Sequence, residues 1–175
     1  MQSLKSEINR KLLFCWQSLP GAPDSLPARS DYSPTDIPPA VLPNVFLCQI
    51  TPDPFQVLIR LQGTYLTDRA GQKYSGKLID ASTFGDNYQA ILEVYRLVWR
   101  EQRPLVTEQR IQSPDGQTVI TEVLHLPLAG NGAEKDVAYV TGSLDIIGGN
   151  SRSWTNFTAQ SWSVLRSELL KPQTA

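Results

Sequence analysis

The chain has 175 residues and a mass of 19.5 kDa, which suits one domain with helical extensions and a core that needs no disulfide staple. Hydrophobic residues make up 41% and charged residues 19%, the balance of a globular rather than a disordered chain. A net charge of −1 and a pI near 5.8 lack the excess of Lys and Arg that general nucleic-acid binding requires.

In chain order, residues 3 to 19 read as a helix. Leu4, Ile8, Leu12, Cys15, Trp16 and Leu19 recur at three- and four-residue steps and form one apolar stripe. Ser3 is the expected N-cap, and Pro20-Gly21 ends the helix. The run Leu12 to Trp16 is too short for a signal h-region or a membrane span, so the expected compartment is the cytoplasm. Residues 20 to 43 hold seven of the thirteen prolines and read as a strap with one short helix at Ser33-Pro34-Thr35-Asp36, anchored by Leu26, Ile37, Val41 and Leu42.

Asn44 to Thr51 and Phe55 to Gln62 read as strands joined by the Pro52-Asp53-Pro54 turn. Alternation in the second strand predicts Phe55, Val57, Ile59 and Leu61 on the core face, with Leu58 and the stem of Arg60 on the other. The first helix has the stripe to cover that other face. A helical turn follows at Thr64 to Arg69. Residues 86 to 102 then predict the strongest inner helix, with Tyr88, Ile91, Leu92, Tyr95, Val98 and Trp99 sharing a face and Asp86 or Asn87 as cap. Leu105 to Ser113 and Thr118 to Leu126 flank a hairpin turn at Pro114-Asp115-Gly116-Gln117. Gly130-Asn131-Gly132 reads as a loop, and Val137 to Ile147 as the last strand. Residues 154 to 170 predict a final amphipathic helix through Trp154, Phe157, Trp162, Leu165 and Leu169.

This order makes the fold class α+β: a five-stranded antiparallel sheet with helices on one face and a helix at each terminus. The stretch Gly63 to Lys77, and the ending Gly142 to Asp145-Ile146-Ile147, resemble a PAS domain. Trp16 with Leu19, Pro27-Ala28-Arg29-Ser30-Asp31, Ile37-Pro38-Pro39 to Leu42-Pro43, Arg60-Leu61-Gln62-Gly63-Thr64 and Leu126-Pro127-Leu128-Ala129 resemble a bacterial group of short stand-alone PAS-like proteins. The resemblance implies a strand order 2-1-5-4-3, with residues 1–43 as helix and strap, 44–147 as the PAS-like core and 148–175 as C-terminal helix and tail. It also implies a sensory or adaptor role in signal transduction, with a small-molecule ligand, a signalling partner protein, or both.

Within that frame, a ligand pocket would lie between inner helix and sheet, lined by Ile59, Leu61, Tyr88, Ile91, Leu92 and Tyr95, with His125 near a strand end; plain core packing is the alternative. Residues 86 to 102 lack the axial His of a haem-binding PAS, and residues 80 to 87 lack the Cys of a covalent flavin photosensor, so neither haem nor covalent flavin is expected, non-covalent flavin stays open and the cofactor is left unassigned. One His and two Cys without metal-binding spacing predict no metal site. Cys15 and Cys48 read as buried thiols, although spacing alone leaves a disulfide between them open.

Arg60 suits either a carboxylate ligand or an ion pair with a neighbouring acid, and Arg29-Ser30-Asp31 suits a pin for the strap. Asp80, Asp86, Glu93 and Glu122 read as ordinary solvated acids, and no nucleophile-base pair stands out, so no catalytic activity is expected. The enzyme alternative is a cone fold of the ketosteroid-isomerase type, which needs an inward Asp or His facing a Tyr. A third reading is a purely protein-interaction dimer module. The two terminal stripes (Leu4, Ile8, Leu12 and Trp16; Trp154, Phe157, Trp162 and Leu165) predict a homodimer interface, since one sheet face accommodates only one of them.

Overall fold

Two hydrophobic clusters lie on opposite faces of one antiparallel sheet in the computed structural model, which describes residues 4–22, 24–130, 136–150 and 161–171. The strands are β1 (Val45–Pro52), β2 (Phe55–Gln62), β3 (Leu105–Gln112), β4 (Thr118–Ala129), β5 (Val137–Gly149) and β6 (Ser161–Leu169), in the order β2-β1-β5-β4-β3-β6. The five-strand order expected from the sequence is present, with a sixth strand added beside β3.

That sixth strand corrects the expected C-terminal helix. Ser161 to Leu169 pairs antiparallel with β3, from Gln112↔Ser161 to Leu105↔Leu169. The step from Trp162 to Leu165 and Leu169 imitates helical spacing. The same segment also alternates, and the unpaired N–H and C=O groups along β3 select the extended form. Trp154 and Phe157 lie outside the described residues, as do Ser3, Asn131 and Gly132.

The inner face is covered by α2 (Thr64–Ala70), α3 (Ala81–Phe84) and α4 (Tyr88–Glu101). α2 ends at Gly71, whose φ of 70° is the left-handed conformation that closes helix C-termini without strain on a Cβ. Asp80 caps α3 by accepting the Thr83 N–H at 2.9 Å. The outer face is covered by α1 (Glu7–Gln17) and the strap, which makes three 3-10 turns at Arg29–Asp31, Pro34–Asp36 and Leu42–Asn44. Ser6, not Ser3, caps α1, its hydroxyl accepting the Asn9 N–H at 3.2 Å.

The α1 stripe is therefore satisfied inside the chain. Leu4, Leu12 and Trp16 are buried, and Ile8 packs beside them against Val106, Leu124, Leu126 and Leu128 of the sheet. The Trp16 indole N–H also donates to the Pro127 carbonyl at 3.0 Å. With that packing the stripe is buried without a second subunit.

Glu122 departs most from the sequence reading. It is fully buried on the outer face, not solvated. Its carboxylate accepts the backbone N–H of Lys5 (2.8 Å) and of Ser6 (2.9 Å) and the Asn9 side-chain amide (3.0 Å). Pairing sets Glu108 and Asp145 on either side of it. Lys5 Nζ (2.9 Å) and Arg166 Nε (3.1 Å) compensate Glu108, and the Ser6 hydroxyl donates to Asp145 at 2.8 Å.

A bulge in each edge strand adjusts the alternation there, and the β4–β5 pairing has two further shifts of register. In β2, Leu47 pairs with Leu61 while Cys48 pairs with Ile59, so Arg60 is surplus. In β6, Glu108 pairs with Arg166 while Gln109 pairs with Val164, so Leu165 is surplus. Each extra residue resets which face its neighbours meet.

Candidate functional site

One row of paired residues crosses all six strands on the inner face: Gln62, Phe46, Gly142, His125, Leu105 and Leu169. Gly142 makes this row possible. A Cβ there would stand 1.9 Å from the Leu124 carbonyl oxygen and 2.4 Å from Phe46 Cζ. With only a hydrogen in that place, the Phe46 ring reaches across to the His125 ring, centroid to centroid 5.8 Å. Tyr95 from α4 meets the same imidazole edge-on at 5.5 Å.

Above this row lies a cavity of about 140 Å³. The sheet contributes Phe46, Cys48, Ile59, Gln62, Gln109, Ile111, Val123, His125, Leu144 and Trp162. The helical layer and its connections contribute Leu66, Ala70, Tyr74, Ile79, Phe84, Ile91, Val94 and Tyr95. Ile59, Ile91, Tyr95 and His125 are thus where the sequence placed them. Leu61, Tyr88 and Leu92 do not line the cavity. The β2 bulge leaves Leu61 exposed and turns Gln62 inward; Leu92 is buried in the inner cluster, and Tyr88 packs at its margin with its hydroxyl accepting from Gln89 at 2.6 Å. On the other terminal stripe, Trp162 reaches the cavity wall and Leu165 is exposed at its bulge.

The polar groups of the wall are neutral. Gln62 Oε1 accepts the Tyr74 N–H at 2.5 Å. The Trp162 indole donates to Gln109 Oε1 at 3.1 Å, and Gln109 Nε2 donates to Thr107 at 2.9 Å. The Cys48 thiol and the Tyr95 hydroxyl share a contact of 3.4 Å. Burial pushes the Cys48 thiol up to about 12 and the Tyr95 phenol well above its ordinary value, so both stay protonated at neutral pH. His125 is 3% exposed, and burial pulls its pKa down from 6.5 to about 4 against a smaller upward pull from the Leu105 backbone. Its Nδ1 is buried without a hydrogen-bond partner among the described residues. A buried polar atom left unpaired is costly, which marks it as the cavity group best placed to gain from an added partner.

Cys15 and Cys48 are both free thiols on opposite sides of the sheet, one on α1 and one in β1. Among the described residues, no group of three or more His, Cys, Asp or Glu is arranged to hold a metal ion, and no helix is long and apolar enough to cross a membrane.

A family model described as PAS domain matches residues 4–145. The chain belongs to the PAS domain family. The match includes α1 and the strap as well as the strands and helices around the cavity. Comparison with curated proteins and with solved structures returns no match. As a PAS domain, the chain falls among modules that sense signals or mediate interactions.

Among the cavity residues beyond the sequence reading are Gln62, Gln109 and Trp162. Gln62 was hidden by a bulge, and Trp162 by the helical imitation in its segment. Gln109 sits on a strand whose partner on that side was not foreseen.

Proposed function

We propose that this PAS domain is a cytoplasmic sensory or adaptor protein. Its core, residues 44–147, takes a small uncharged and largely apolar molecule into the inner cavity, and the result is read by a partner protein. The observation that carries this reading is the unpaired His125 Nδ1 at the wall of an apolar cavity. A cavity of about 150 Å³ lined by apolar side chains holds a benzene-sized molecule, so the ligand class is a compact ring or short chain with one hydrogen-bonding group. Among the described residues no charged side chain lines the cavity, and burial of an unpaired ionic ligand would be costly.

Native mass spectrometry of the purified protein tests this directly, by a retained mass on the order of 100 Da. Titration with phenol and cyclohexanol, followed through Trp162 fluorescence and melting temperature, gives the second readout. The expected result is saturable binding by these probes, weak or no binding of benzoate, and loss of binding in Ala70→Leu, which fills the cavity. Absence of a retained mass together with non-saturable titrations in the wild type would sink the reading.

The isomerase-like alternative draws on one observation, the inward His125 facing Tyr95 in an apolar pocket. A base with a pKa near 4 is poorly matched to proton abstraction at neutral pH, and no carboxylate of the described residues lines the cavity. The sensory reading is therefore the stronger. Turnover of an enolisable cyclic ketone, abolished by His125→Gln, would reverse that order.

A further inference from the structure

The segments Pro27 to Asp31 and Arg60 to Thr64 play no part in the inner cavity apart from Gln62, yet the fold brings one arginine from each to a single place. Arg29, from the first 3-10 turn of the strap, and Arg60, the surplus residue of the β2 bulge, line the same outer-face cleft of about 310 Å³ with Ser30, Leu47 and Tyr139. The Arg29 guanidinium is held between two rings, 5.8 Å from the Tyr32 centroid and 5.9 Å from that of Tyr139. Its Nη1 donates to the Tyr32 carbonyl at 2.8 Å, leaving its other donors uncommitted among the described residues. Arg60 is exposed and makes no ion pair or hydrogen bond with a described residue.

Among the described residues no acid lines this cleft; Asp31 and Asp36 line a different one, on the side of Phe14 and Ile37. Two like charges line one cleft with no counter-charge among the described residues, one of them set by rings and a carbonyl, the other the surplus residue of a bulge. Bulges of this kind re-aim a side chain beside functional sites. A guanidinium held by rings and a carbonyl, an exposed one lining the same cleft, and the Ser30 hydroxyl suit the paired oxygens of an oxyanion.

We propose that this cleft binds the carboxylate or phosphate group of a small anionic molecule, at a site on the opposite face of the sheet from the inner cavity. Arg29 supplies the preset fork, Arg60 closes on the anion, and Ser30 offers a hydroxyl donor.

The test is an NMR titration of the arginine Nε–Hε signals with inorganic phosphate, with succinate, and with sodium chloride at matched ionic strength. Saturable shifts of both arginine signals are expected with at least one oxyanion and not with chloride. Arg60→Gln should weaken that binding about tenfold or more while leaving the melting temperature unchanged, because Arg60 is exposed. Arg29→Lys keeps the charge but loses the fork, and should weaken binding as well. Saturation by phosphate alone assigns a phosphate group, by succinate alone a carboxylate, and by both an oxyanion in common. Linear shifts with every salt, equal responses to chloride, or unaltered affinity in Arg60→Gln would overturn the proposal.

Discussion

Glu122 Oε1 accepts the backbone N–H of Ser6 at 2.9 Å, joining the middle of β4 to the residue that caps α1 across 116 positions of sequence. The same carboxylate takes the Lys5 N–H on its other oxygen. Its negative charge lies where the N-terminal end of a helix carries partial positive charge. Each buried N–H left without an acceptor costs about 1–3 kcal/mol, so Glu122→Ala should lower the unfolding free energy by roughly 3 kcal/mol or more. Glu122→Gln keeps one acceptor oxygen and should lose less. Urea unfolding of the three proteins measures this; a Glu122→Ala loss below about 1 kcal/mol would show that the carboxylate does not anchor the helix.

His125 makes stability depend on pH in a definite direction. Its folded-state pKa is about 4, below the unfolded value of 6.5, so protonation favours the unfolded chain. Its contribution is fully present above pH 6.5 and falls as the pH drops towards 4. Between pH 8 and 5 the loss from this group should be about 2 kcal/mol. Replacing it, as in His125→Gln, should flatten that part of the profile. Guanidinium unfolding at closely spaced pH values is the measurement, and a wild-type profile that matches the variant would contradict the assignment.

The Cys48 thiol should be inert in the folded protein. Burial raises its pKa to about 12, and reagents meet the thiolate form. In Cys15→Ser, reaction with a disulfide reagent at pH 8 should proceed at the rate of unfolding. In the wild type a faster phase from the half-exposed Cys15 should precede it. A fast phase surviving in Cys15→Ser would refute the burial of Cys48.

Leu12 and Leu165, both read from sequence as interface residues, should now behave differently. Leu12 is fully buried under α1, so Leu12→Glu should cost several kcal/mol and compromise folding. Leu165 is 45% exposed, so Leu165→Glu should change stability by no more than about 0.5 kcal/mol. Thermal melts combined with sedimentation separate the cases. A Leu12→Glu protein that melts like the wild type but sediments as a smaller species would restore the intersubunit role of that stripe.

The five core strands were legible because alternation and turn chemistry act over a few residues, as at Phe55 to Ile59 and at the Gly116 turn, where φ is 82°. The cover of α1 over the second face was legible from its stripe. What escaped depends on partners distant in sequence. Nothing local distinguishes Glu122 from a solvated acid, because its partners are Lys5, Ser6 and Asn9. Nothing local places Gln62 at the cavity, because the bulge is defined by pairing with Leu47 and Cys48. The 161–169 segment carries two periods at once, and the vacant edge of β3 decides between them. The positions of Ile59, Ile91 and Tyr95 at the cavity wall were legible because Ile59 precedes the bulge, and Ile91 and Tyr95 lie on a helix whose phase nothing interrupts.

The Arg60 bulge has a consequence for shortening the chain. With Ile59 opposite Cys48 and Leu61 opposite Leu47, those two residues already occupy successive rungs of the ladder. Excising Arg60 would close the gap and leave Leu61 and Gln62 on the faces they occupy now. Excising Leu61 instead would make Arg60 the next rung and achieve the same count, at the expense of a leucine facing the strap side. Leu165 holds the corresponding place in β6. The sheet thus carries one spare rung on each of its two edge strands, where removing a residue would keep the register and turn no wall inside out.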